Sequence, residues 1–167
     1  GYIFCHNESL IYRWVEEYEP ALFTEIQELV KLGKWHIMGG WHVQPDCNMP
    51  AGESFVRHIL VGRKYFMENF GQAPTTAINF DAFGHTRGLV QIMNKCGQDS
   101  VIITRPGNEP LPSCQFHWKG FDDSTVKVAI GPAGYNTPMG GAAGMVNAKA
   151  HSQGEDVICV LWGVGNH

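Results

Sequence analysis

Thr75-Thr76-Ala77-Ile78-Asn79-Phe80-Asp81-Ala82-Phe83-Gly84-His85 is the stretch that decides the fold. Thr75 to Phe80 reads as a strand, and an acid, Asp81, stands directly after it. Leu89 to Cys96 then reads as a short helix stopped by Gly97, and Ser100 to Thr104 as the next strand, ended by Arg105-Pro106-Gly107. Strand, helix, strand in that order makes parallel strands with the helix outside the sheet.

Upstream the same alternation repeats. Tyr2 to Cys5 is a short apolar strand, and Glu8 to Tyr18 carries Leu10, Ile11, Trp14, Val15 and Tyr18 at helical spacing. Pro20 suits the first turn of a second helix, with Leu22, Phe23, Ile26, Leu29 and Val30 as its buried stripe and Gly33 as its stop. Trp35 to Trp41 reads as a strand containing Gly39-Gly40. A loop rich in Pro, Asp and Asn leads to a helix from about Glu53 to Phe70, buried through Phe55, Val56, Ile59, Leu60, Phe66 and Phe70 and stopped by Gly71.

Downstream the period changes from helical to alternating. Gln115 to Lys119 and Thr125 to Ile130 form a hairpin around Asp122-Asp123, read as an insertion. Pro132 to Gly144 reads as a loop over the site, Ala143 to Gln153 holds a short helix, and Asp156 to Val164 is a last buried strand. The fold class is α/β. Trp14, Trp35, Trp118 and the phenylalanines are expected in its core.

The 167 residues are 44% hydrophobic, enough for a core, and 17% charged, low for a free-standing surface. The chain opens without Met in an apolar run and closes just after another. Residues 1–167 are therefore expected to be one partial domain, truncated at both ends. A net charge of -4 gives no electrostatic case for nucleic acid or an anionic membrane. No run of about 18 apolar residues is present to span a bilayer. Cys5, Cys47, Cys96, Cys114 and Cys159 are scattered without a CxxC pair, which argues against a disulfide framework or a Cys-type zinc site and for reduced thiols in the cytoplasm.

In parallel α/β folds the working residues lie just past the C-terminal ends of the strands. The residues expected there are His6, Asp46, Asp81, Arg105 and His167. Asp81 can serve as a helix N-cap or as a functional carboxylate. Arg105, one strand over, favours the second reading, because a neighbouring Arg keeps a carboxylate charged and a nucleophile or metal ligand must be charged. Asp46 follows Trp41 in a segment with amides. An apolar ring beside such acceptors suits a sugar, and a turn in which Asp46 and Asn48 bond their own backbone suits it equally. The eight histidines show no HExxH spacing, while His85, four residues after Asp81, is placed to orient it.

Four ordered blocks resemble glycoside hydrolase family 38, the α-mannosidases, in its bacterial and cytosolic-type branch. They are Gly39-Gly40-Trp41 with Pro45-Asp46-Cys47-Asn48 and Gly52-Glu53-Ser54; Phe80 to His85; Phe116 to Gly120 with Asp122-Asp123-Ser124; and Trp162 to His167. The resemblance implies part of a seven-stranded β/α barrel-like catalytic domain that holds one zinc ion. It implies a retaining α-mannosidase acting on terminal α-linked mannose, with Asp81 as both nucleophile and metal ligand. Arg105 matches the Arg that contacts the nucleophile. Trp41 and Asp46 become walls of the sugar site, and Tyr135 a hydroxyl contact. The family's HxD pair would precede Gly1 and its last zinc-binding His would follow His167, so the 167 residues alone are expected to bind zinc poorly and to be inactive. Where the family places its acid/base Asp, this chain reads Gly165-Asn166-His167. Two alternatives follow: a sugar-binding relative that does not hydrolyse, and a metal-dependent polysaccharide deacetylase-type barrel, against which the Pro45-Asp46-Cys47-Asn48 block argues.

Overall fold

The computed structural model describes residues 3–104, 115–131, 140–141, 143–144 and 147. The elements in chain order are β1 (Phe4–Glu8), α1 (Ser9–Tyr18), α2 (Pro20–Lys31), β2 (Trp35–Trp41), α3 (Gly52–Phe70), β3 (Thr76–Asn79), α4 (Gly88–Lys95), β4 (Ser100–Ile103), β5 (Gln115–Lys119) and β6 (Thr125–Ile130). The expected strand Asp156 to Val164, nearly all of the helix Ala143 to Gln153, and most of the loop Pro132 to Gly144 lie outside the described residues.

Among the described residues the strands form two sheets, a parallel pair β1-β2 and a four-stranded sheet in the order β3-β4-β6-β5. β3 and β4 run parallel from Thr76 opposite Ser100 to Asn79 opposite Ile103, as a crossover through α4 requires. β5 and β6 pair antiparallel with Trp118 opposite Val126, so the expected hairpin is present. It is not an insertion. β6 lies parallel beside β4, with Val101 opposite Val128, and belongs to the main sheet. The reason is apolar alternation: Val126 and Val128 are buried with Val101, Val90 and Met93, and leaving the sheet would expose them.

The first strand also differs from expectation. It occupies Phe4–Glu8 rather than Tyr2 to Cys5, so His6 sits inside the strand opposite Ile37 and not beyond its end. Pairing with β2 carries the strand onward through a bulge between His6 and Glu8, where Gly39 and Gly40 adopt φ of 73° and 72°.

Two clusters hold the layers together. Tyr12, Phe23, Ile26, Val30, Ile37, Tyr65 and Phe66 join α1, α2 and α3 to β2. Here the expected face of α1 is wrong: Trp14 is 49% exposed and Tyr18 69%, while Tyr12 is buried. Tyr12 wins because its ring meets Phe66 and Phe70 edge-on and its hydroxyl accepts from Trp35 Nε1 at 2.8 Å. Three phenylalanines expected in the core, Phe4, Phe83 and Phe121, are likewise exposed. The second cluster underlies the strand ends. It gathers Trp41, Cys47, Phe55, Ile59, Ala77, Ala82, Leu89 and Ile103 with the residues of α4 and β6 named above.

Candidate active site

Asp81 lies two residues beyond Asn79, at the C-terminal end of β3, and is half-buried. Ala77, Ile78 and Asn79 are buried on the way to it, so the strand delivers the acid from the core to the rim. Ala82, the next residue, is buried again, and Phe83 is exposed. The turn therefore dips once into the core between Asp81 and Phe83. Gly88 begins α4 seven residues after Asp81, so Asp81 is not the N-cap of that helix; Arg87 occupies the cap.

The loop after β2 is fastened to this turn. Phe80 N–H donates to Gln44 Oε1 at 3.1 Å, and Asn48 Nδ2 donates to the Phe83 carbonyl at 2.9 Å. Asn79, fully buried, donates through Nδ2 to the Pro45 carbonyl at 3.2 Å and lies 3.3 Å from Cys47 Sγ. Thr104 Oγ1, at the end of β4, donates to the Phe80 carbonyl. On its far side the loop is tied to β1, because Gln44 N–H donates to Glu8 Oε1 at 2.7 Å.

Asp46 takes the turn alternative. Its Oδ1 accepts from Asn48 N–H at 3.3 Å and its carbonyl from Met49 N–H at 3.2 Å, the Asx arrangement that shapes the loop. Trp41 is 0% exposed and packs in the core cluster, so it offers no face for a sugar to stack on; the expectation of a wall there is corrected. The last three residues of β2, Gly39, Gly40 and Trp41, are all buried, so neither side of the strand's end faces solvent. His85 packs edge-on against Trp118, with ring centroids 6.1 Å apart. Burial pushes the Cys47 thiol up to about 11, with the Asn79 amide opposing that rise, so the thiol stays protonated and packs as an apolar group. Arg105, Tyr135 and His167 lie outside the described residues.

For a metal, the rim supplies the Asp81 carboxylate as one hard oxygen donor of the kind zinc accepts. Among the described residues no group of three or more His, Cys, Asp or Glu converges. Sequence reasoning missed the fastening residues Gln44, Asn79 and Thr104. Asn79 carried a readable signal: an amide in a strand otherwise buried through Ala77 and Ile78 has to find a partner.

Residues 1–165 match the family described as glycosyl hydrolases family 38, N-terminal domain. The chain belongs to this family. Within family 38 it is similar to α-mannosidase G of Dictyostelium discoideum, 33% identical over 133 residues, which is 78% of this chain and 12% of that protein. It is also similar to α-mannosidase 2C1 of Homo sapiens, 32% identical over 134 residues, covering 78% of this chain and 13% of that protein. The chain thus spans about an eighth of these relatives' length. An α-mannosidase crystal structure from Enterococcus faecalis V583 superposes with a TM-score of 0.68 at 21% identity, over 77% of this chain and 15% of that one, a likeness of fold. No helix among the described residues is long and apolar enough to cross a membrane.

Proposed function

We propose that the complete protein carrying this chain is a retaining, zinc-dependent α-mannosidase that removes terminal α-linked mannose from glycans or oligosaccharides, with Asp81 as its nucleophile. The observation that carries this reading is a carboxylate at the C-terminal end of a parallel strand in a family 38 chain. The parallel run β3-β4-β6 supports placing these residues in one seven-stranded β/α barrel-like catalytic domain, of which residues 1–167 are a part.

In a retaining hydrolysis an Asp81 oxygen bonds the anomeric carbon while the aglycone oxygen leaves with a proton from a general acid. Water, deprotonated by that same group, then releases mannose and restores the carboxylate. Both steps need the carboxylate charged and aimed. Arg105, the residue after Thr104, is assigned as the contact of the nucleophile, and Tyr135 as the contact of a sugar hydroxyl. Asp46 would reach the sugar only from within its turn. Zinc, when bound, supplies positive charge that orients the mannose hydroxyls next to the scissile bond. Asp81 would be one of its ligands, with the others drawn from further segments of the complete protein.

Asp81→Asn in the complete protein is expected to abolish hydrolysis of an aryl α-mannoside while the unfolding midpoint stays within a few degrees of the original. Retained turnover overturns the assignment.

A further inference from the structure

The three side-chain bonds around Asp81 fall in a pattern. Phe80 is held on both faces, its N–H by Gln44 Oε1 and its carbonyl by Thr104 Oγ1. That carbonyl belongs to the peptide bond that leads into Asp81, so the Thr104 hydroxyl fixes the plane from which the Asp81 backbone departs. On the other side, Asn48 Nδ2 holds the Phe83 carbonyl. Only Asp81 and the buried Ala82 lie between the fastened points. The approach at Asn48 is close enough that a Cβ added to Gly84 would overlap its amide.

We propose that Thr104, Gln44 and Asn48 are positioning residues that set where the Asp81 carboxylate points. The three come from two separate neighbours of β3: Thr104 from the end of β4, Gln44 and Asn48 from the loop after β2. That loop is itself anchored to Glu8 in β1, away from the turn it grips, and to Asn79 at the end of β3. A carboxylate on an unfastened turn would sample several directions. A displacement of about 1 Å in a reacting group can cost on the order of a hundredfold in rate. The inference rests on Asp81 being the nucleophile, and the two are tested apart.

The test uses the complete protein with an aryl α-mannoside, and a fluorinated mannosyl fluoride that labels the nucleophile as fluoride leaves. Thr104→Val keeps the shape and removes the hydroxyl; Thr104→Ser keeps the hydroxyl. Thr104→Val is expected to lower kcat and the labelling rate by at least about tenfold with KM within about twofold, and Thr104→Ser to recover most of the loss. A merely structural role would lower the unfolding midpoint without that split between kcat and KM and without rescue of the labelling rate. If Thr104→Val does not fold, Gln44→Met, which loses the acceptor at similar length, is expected to give the same pattern. Original kcat and labelling rate in the folded variant overturn the positioning role. Label on a residue other than Asp81 in the unsubstituted protein overturns the nucleophile assignment, and the positioning role with it.

Discussion

Asn79, the last residue of β3, donates its side-chain amide to the carbonyl of Pro45 at 3.2 Å, and both residues are buried. The bond crosses from one strand end to the neighbouring loop and closes the floor beneath Asp81. Removing the donor leaves the Pro45 carbonyl without that partner in a site water does not reach. Asn79→Ala is expected to destabilise the domain by about 2–3 kcal/mol, the sum of a lost buried bond and a small cavity. Asn79→Asp is expected to be worse, because it puts a charge where an amide donor stood. Urea-unfolding midpoints check the order; equal midpoints for all three proteins would show that the bond contributes nothing.

α3 and β2 approach at Gly62. A Cβ there would overlap the Gly40 carbonyl oxygen and the Trp41 backbone and sit 2.7 Å from His42 N. These are backbone atoms of the end of β2 and the residue after it, which cannot turn aside as a flexible side chain would. Gly62→Ala is therefore expected to cost about 3 kcal/mol or more and to lower the yield of folded protein. Gly71→Ala is the contrast: Gly71 caps α3 at φ 66° with open space around it, so only the left-handed backbone is strained, at about 1 kcal/mol. A smaller loss at Gly62 than at Gly71 would mean the helix can lift from the strand freely.

How much of this was legible depends on how far apart the interacting residues lie in the chain. β2 and both arms of the hairpin were read residue for residue, because alternation and turn residues are local signals. Asp81 at a strand end was legible for the same reason. The face of α1 was not. Its apolar residues include Trp14 and Tyr18, yet Tyr12 is selected by Trp35, Phe66 and Phe70, which lie far along the chain. The role of the hairpin was hidden likewise, since nothing within Thr125 to Ile130 names β4 as its neighbour. The clasp on Asp81 joins Gln44 to Phe80 across 36 positions, and no periodicity encodes such a bond. Trp41 was misread because an aromatic beside polar residues looks the same whether it faces a ligand or the core.

Stability should fall in mild acid. Burial lowers the pKa of His6 from 6.5, against an opposing pull from Glu8. His42 is lowered first by burial, then by His58 and Arg13. For each, the folded state binds fewer protons than the unfolded state. Its stabilising contribution is complete above the unfolded value near 6.5 and is lost as pH falls through the lower folded value. His42 Nδ1 lies 3.0 Å from Ser9 Oγ at the start of α1, a hydrogen bond in which a charged His42 can only be the donor. The urea midpoint is expected to decline from about pH 7 towards pH 5, and less steeply in His42→Gln. The same slope with both His6 and His42 replaced by Gln would place the acid sensitivity elsewhere.

Trp41 separates two accounts of the site. It is fully buried, and its indole N–H has no hydrogen-bond partner among the described residues. An unpaired buried donor costs on the order of 1–3 kcal/mol, and the volume lost in Trp41→Phe costs about as much again in the opposite sense. The two nearly offset, so the unfolding midpoint of Trp41→Phe is expected to stay close to the original. A residue that packs under the strand ends without touching substrate leaves KM for an aryl α-mannoside unchanged when it is replaced. A residue that stacks on the sugar does not, because the smaller ring gives up contact with the pyranose. Trp41→Phe in the complete protein is therefore expected to keep KM within about twofold. A tenfold rise in KM with the midpoint unmoved would return Trp41 to the sugar site and require the loop carrying Asp46 to open when substrate binds.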